Sequence, residues 1–291
     1  MFEAPDGSFL LVVADGMGGH RGGATASRIA VDAVGEALDA DAGRRPADAL
    51  AEALVLAVRA ANARVHAESL RDPTLQGMGT TLVALLARPD GRAAVAHVGD
   101  SRAYRLRAGA AAIERVTEDH SVVGELQRRG LLTAEEAETH PRRNEILRSV
   151  GVDAEVEVDA LELALAPGDR VLLCSDGLCG VISDAEIEVL AARAPASQAV
   201  DALVAAANAA GGPDNVTVQI AVAHAASAGM GDAAAIARTD GERALTGAGA
   251  DAGADPTGRA SRASAPASVA ATVALVALVA ALLAFAWALW H

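Results

Sequence analysis

Four times in this chain a short apolar run ends or begins at an aspartate with a small residue or an amide beside it: "VVADG" at 12–16, "AHVGDS" at 96–101, "LLCSDG" at 172–177 and "GGPDNV" at 211–216. A β-type run that stops at an acid and then turns through glycine sets a carboxylate at the edge of a packed sheet. If the strands are neighbours, Asp15, Asp100, Asp176 and Asp214 meet at one such edge. Like charges repel strongly at low effective dielectric, so the cluster needs a counter-cation, and a purely oxygen donor set selects a hard divalent ion such as Mg2+ or Mn2+. Taken singly, each aspartate also reads as an ordinary turn or helix cap. No Cys/His cluster with zinc spacing competes, because His20, His66, His97, His120, His140 and His224 are scattered.

Around these acids, apolar runs near 8–14, 80–87, 93–98, 102–106, 156–165, 169–175 and 216–223 predict strands. Ala and Leu at helical spacing predict helices over 23–40, 47–69, 121–130, 184–193 and 196–210. Strands grouped by short links such as "RPDGR" and "GDSR", with helices inserted in bulk, favour α+β layers over a βαβ alternation. The 291 residues suffice for one domain of about 200–250 residues plus an appendage. Aromatics make up only 2%, so Ala, Val and Leu must build the core. The net charge of −14 argues against nucleic acid as the main partner, since such binders concentrate Lys and Arg. Cys174 and Cys179 read as a buried and an incidental thiol in a reducing compartment rather than as a disulfide framework.

The last part of the chain differs in kind. Residues 269–290 carry no charge and as a helix reach about 33 Å, enough to cross a bilayer, with Trp287 and Trp290 at the far interface. Arg259 and Arg262 precede the run and only His291 follows it, which puts the N-terminal part in the cytoplasm. Residues 224–268, rich in Ala, Gly, Ser and Asp, read as a flexible linker. The expected organisation is a folded domain at 1–223, a linker at 224–268 and a single-pass transmembrane helix at 269–290 that anchors the protein in the cell membrane.

Seven motifs in order, "DGMGGH" (15–20), "GMGTT" (77–81), "VGDSRAY" (98–104), "TEDHS" (117–121), "HPRRNEILRSVG" (140–151), "CSDGL" (174–178) and "GGPDNVT" (211–217), resemble the bacterial serine/threonine phosphatases of the protein phosphatase 2C family. The resemblance spans about 210 residues and implies two antiparallel β-sheets in a sandwich flanked by α-helices, with a metal cluster in the cleft at one end. It implies that Asp15 bridges two Mn2+ or Mg2+ ions, that the Gly16 carbonyl binds one of them, and that Asp176 and Asp214 complete the other. Asp100 with Asp176 resembles the pair that holds the family's third ion. The implied reaction is hydrolysis of phosphoserine and phosphothreonine by a metal-bound water, without a phospho-enzyme. The implied partners are phosphorylated proteins, including Ser/Thr kinases and their substrates, and the protein is expected to act as a monomer.

Other residues have plainer readings. Met17 stands where some relatives place a proton-donating histidine, so the leaving alkoxide is expected to take its proton from water. His20 reads as structural, Thr80 and Thr81 as strand packing, and His120 either as a fixer of its loop or as a site-edge residue. Thr133 followed by Glu135 and Glu136 signals a helix start within 125–147, a segment that resembles the family's flap. Its Arg128, Arg129, Arg142 and Arg143 read either as a solvated face or as contacts to substrate.

The pattern breaks at the start. Family members carry an upstream strand with a phosphate-holding arginine and an Asn-x-Asp motif for the second metal, but Asp15 has only 14 residues before it, and Glu3 and Asp6 do not replace them. Either the natural start lies upstream and the protein is an ordinary phosphatase, or the chain is an impaired, phosphatase-like binding module at the membrane.

Overall fold

The structure, a computed structural model, describes residues 2–3, 7–17, 19–41, 49–110, 112–193, 195–212, 214–225, 235–238 and 275–278. In chain order the N-terminal half contains strands β1 (Phe2–Glu3), β2 (Phe9–Val13) and β3 (Gly16–Met17), then helices α1 (Gly19–Asp41) and α2 (Leu50–Arg71). Strands β4 (Gly79–Thr80), β5 (Leu82–Ala87), β6 (Arg92–Val98), β7 (Arg102–Leu106) and β8 (Ile113–Arg115) follow, then helices α3 (Val122–Arg128) and α4 (Ala134–Thr139). The remainder comprises β9 (Asp159–Ala164), β10 (Arg170–Cys174), α5 (Asp176–Cys179), α6 (Asp184–Ala191), α7 (Ala196–Ala209), β11 (Val216–His224), β12 (Ala235–Arg238) and β13 (Leu275–Leu278).

Val, Leu and Ala form strands that are buried on both faces: every residue of β2 and β5 is buried, and so is β6 after its first. Near-continuous apolar strands need cover on each side. One antiparallel sheet runs β1-β2-β5-β6-β9 and the other β12-β11-β10-β7-β8, with β13 also on β11. Phe9, Leu11, Val13, Val83, Leu85 and Val95 of the first sheet meet Ala103, Val171, Leu173 and Ala221 of the second in a shared interior. The outer face of the first sheet packs on α1 and α2 through residues such as Val34, Leu54 and Val58. The outer face of the second packs on α5, α6 and α7 through Leu178, Ile187 and Leu203. The result is a helix–sheet–sheet–helix sandwich, α+β as anticipated.

The expected membrane helix lies almost wholly outside the described residues. Among the described residues no helix is long and apolar enough to cross a membrane. Of the run at 269–290 only Leu275–Leu278 is described, and it is a strand antiparallel to Val216–Gln219 rather than helical. Val and Leu suit a strand as well as a helix, and β11 pairs with β10 on one side and with β12 and β13 on the other. Within the expected linker, Ala235–Arg238 likewise pairs with Ala221–His224. The rest of the linker and of the expected membrane helix lies outside the described residues.

Candidate metal centre

The site is built where strands of both sheets end. After β2 the chain reaches Asp15, whose backbone is clamped by two threonines. Its N–H donates to Thr81 Oγ1 at 3.0 Å, and its carbonyl accepts from Thr80 Oγ1 and the Thr81 N–H, both at 2.8 Å. Thr81 Oγ1 also lies 2.7 Å from Ser101 Oγ, tying the loop of Asp15 to the loop of Asp100. Gly99 precedes Asp100 with φ +103°, and a Cβ there would stand 2.8 Å from Thr81, so a side chain is excluded by backbone and by space. Gly16 pairs with Thr80 across β3 and β4. A Cβ on Gly16 would collide with the carbonyl of Gly23 in α1, so glycine lets the helix back directly onto the metal-side loop.

On the other sheet, Ser175 fixes Asp176 relative to Asp214. Its hydroxyl donates to the Asn215 carbonyl at 3.3 Å and accepts from the Thr217 N–H at 3.1 Å, while its N–H donates to the Thr217 carbonyl. A Cβ on Gly177 would strike the Asn215 backbone, so the "SDG" turn can close onto the "PDN" loop only with glycine. Gln219 donates to the Val12 carbonyl at 3.2 Å and fastens β11 to the end of β2.

These supports bring the carboxyl groups together. Burial, a hydrogen-bond contact with Asp176, and the charges of Asp176, Asp214 and Asp100 push the Asp15 pKa up to about 8. Burial, then the charges of Asp176 and Asp119, raise Asp100 to about 7. Asp176 Oδ1 is buried without a hydrogen-bond partner. Carboxylates that face one another with an orphaned oxygen among them call for a cation, and hard oxygen donors suit Mn2+ or Mg2+. The donor set therefore fits the metal pair. Near Asp100 the extra negative charge of Asp119 is neutralised by Arg102, whose Nε and Nη2 reach the carboxylate at 2.9 and 2.7 Å.

A second group, His97, His120 and Asp159, has ligand atoms within 4.8 Å of one another. Arg148 already supplies a cation there, 3.0 Å from Asp159 Oδ1. A metal on His120 Nε2 requires the ring proton on Nδ1, where it would face the donating Gly99 N–H at 3.2 Å. The acid cluster is the better cation site.

Each residue singled out in the sequence has a definite place. Asp15, Gly16, Asp100, Asp176 and Asp214 come to one end of the sandwich, with Asp214 the most exposed of the four acids and its carboxylate accepting the Asn215 N–H at 2.7 Å. Met17 lies in β3, and the His20 side chain falls outside the described residues. Thr80 and Thr81 do more than pack strands: their hydroxyls hold Asp15. A hydroxyl pair beside an apolar run was the only trace of that role in the sequence. Ser101, Ser175 and Gln219 were missed altogether. The flap helix α4 begins with a full capping box between Thr133 and Glu136. Arg128 and Arg129 pair with Glu125, and Arg142 with Glu145, so these three are engaged within the flap.

Residues 1–221 match the family model described as protein phosphatase 2C. The serine/threonine phosphatase Stp of Listeria innocua is 40% identical over 221 residues, covering 75% of this chain and 86% of that protein. The crystal structure of the Mycobacterium tuberculosis serine/threonine phosphatase PstP/Ppp matches with a TM-score of 0.66 and 38% identity, covering 76% of this chain and 92% of that one. A structure of the PstP catalytic domain in complex with two manganese ions matches with a TM-score of 0.64 and 34% identity, covering 81% and 94% of the two chains. The chain belongs to the protein phosphatase 2C family.

Proposed function

We propose that the protein is a metal-dependent phosphatase acting on phosphoserine and phosphothreonine of proteins. The observation that carries this reading is the convergence of Asp15, Asp100, Asp176 and Asp214, with the Asp176 Oδ1 atom orphaned in their midst. In this assignment Asp15, the Gly16 carbonyl, Asp176 and Asp214 would hold a pair of ions, and Asp100 with Asp176 would hold a third. A bound Mn2+ or Mg2+ pair lowers the pKa of a water, orients it in line with phosphorus and neutralises charge developing on the phosphate oxygens.

The chain's own residues do the positioning. Thr80, Thr81 and Ser175 fix the two acid-bearing loops before any ion arrives, so little reorganisation is left for the reaction. Met17 has no proton to give, and the leaving alkoxide takes one from solvent. An acidic protein is no obstacle to an anionic phosphopeptide, because the ions invert the local field.

The uncharged run at 269–290, with arginines before it, supports a single-pass membrane anchor with the catalytic domain in the cytoplasm. Such an anchor suits a monomeric enzyme that opposes a membrane-associated Ser/Thr kinase. The test is release of phosphate from a phosphothreonine peptide by the full chain. Hydrolysis that requires Mn2+ or Mg2+ and disappears with a chelator is expected. Peptide binding with no hydrolysis at any metal concentration would replace the enzyme reading by a phosphatase-like binding module.

A further inference from the structure

His120 is fully buried and belongs to neither sheet, yet it touches the loop of Asp100 twice. Its N–H donates to the Gly99 carbonyl at 2.9 Å, and its Nδ1 lies 3.2 Å from the Gly99 N–H. An amide N–H can only donate, so Nδ1 carries the lone pair and the proton of the neutral ring sits on Nε2, where the Asp159 carboxylate takes precedence over the longer 3.4 Å approach of Arg148 Nη1. That proton faces Asp159 Oδ2 at 3.3 Å, and Asp159 is held in turn by Arg148 at 3.0 Å. The His97 ring stacks on His120 with centroids 4.6 Å apart, and burial followed by the neighbouring His97 lowers the His120 pKa, which keeps the ring neutral. From Arg148 through Asp159 and His120 the contacts end on the N–H of Gly99, the residue before Asp100, whose positive φ no other residue type tolerates well.

We infer that His120 is a positioning residue for Asp100: its Nδ1 accepts the Gly99 amide and so sets the direction of the Asp100 carboxylate, while Asp159 fixes the tautomer that leaves Nδ1 free to accept. The consequence for metal binding rests on the proposed role of Asp100. The arrangement parallels the way partners behind a ligand hold it in register, where their loss weakens metal affinity by about 10–100-fold.

Asn and Leu are nearly isosteric, and Asn Oδ1 falls where His Nδ1 stood, so His120→Leu removes the acceptor and His120→Asn keeps it. In the metal-free full chain the Gly99 amide should exchange with solvent at least about 10-fold faster in His120→Leu than in the parent and His120→Asn. Mn2+ titration should show His120→Leu weakened by about 10-fold in the same binding class that Asp100→Asn loses, with His120→Asn close to the parent. The 15N shifts of the parent imidazole decide the matter without any variant, and the Nε2–H tautomer is expected. An Nδ1–H tautomer, unchanged Gly99 exchange in His120→Leu, or equal damage from Leu and Asn would overturn the inference. If the parent binds no Mn2+, the metal reading of the acid cluster fails, while the exchange and tautomer measurements still decide the role of His120.

Discussion

Strand β10 has an aspartate near each end, and the two are treated in opposite ways. Asp169, just before the strand and 3% exposed, receives Arg105 Nη2 at 2.7 Å and the N–H groups of Ala108 and Ala166 at 2.9 and 3.1 Å. Burial alone would raise its pKa, but Arg105 and the two amides outweigh it and hold the carboxyl below its usual range. Asp176, beyond the other end, faces Asp15 and Asp100 and keeps one oxygen without a partner. Evolution of a purely structural acid supplies its cation and donors from the chain. A cluster left short of positive charge points outward, to something the chain does not encode.

That contrast can be broken or sharpened by substitution. Asp176→Asn should lower phosphopeptide turnover by at least about 10^3-fold, since it removes charge-stabilising capacity at the reacting centre, while the thermal midpoint of the metal-free protein holds or rises. Asp169→Asn should do the reverse. It leaves Arg105 buried with a weakened partner, costs about 3 kcal/mol in denaturant unfolding, and spares turnover per folded molecule.

Thr81→Val keeps the shape of β4–β5 but loses the hydroxyl shared by Asp15 and Ser101. The Mn2+ concentration for half-maximal activity should rise by about 10-fold with little change in the peptide KM. The smallest effect concerns pH. In metal-free protein the folded Asp15 pKa of about 8 lies above its ordinary value of 3.8, so between the two the folded form holds a proton that the unfolded chain has lost. Stability from this group is therefore present at low pH and lost as pH rises through that window. Relative to Asp15→Asn, the parent's melting temperature should fall between pH 5 and pH 8, and Mn2+ should remove the difference.

The central strands were readable because they are unbroken apolar runs: 102–106 is β7 to the residue, and 216–223 differs from β11 only at His224. The start of α1 was misplaced for a physical reason. The helix predicted over 23–40 begins at Gly19, with Gly22 and Gly23 inside it. Gly23 backs onto Gly16, and a Cβ on Gly22 would sit 3.2 Å from Met78, so these glycines serve close approach rather than chain reversal. The four acids were legible because each interrupts a strand pattern. Their supports were not, since Thr80 lies 65 positions from Asp15 and Ser175 bonds to a residue 40 positions away. Such pairings depend on which strands become neighbours, which local pattern does not encode.

The most direct measurement is anomalous diffraction at the manganese edge from crystals of the protein equilibrated with Mn2+. The account predicts two strong peaks beside Asp15, with Asp176 and Asp214 at one of them, a third peak beside Asp100 and Asp176, and no peak between His97, His120 and Asp159. Peaks at the histidine group, or none at the acid cluster, would contradict it.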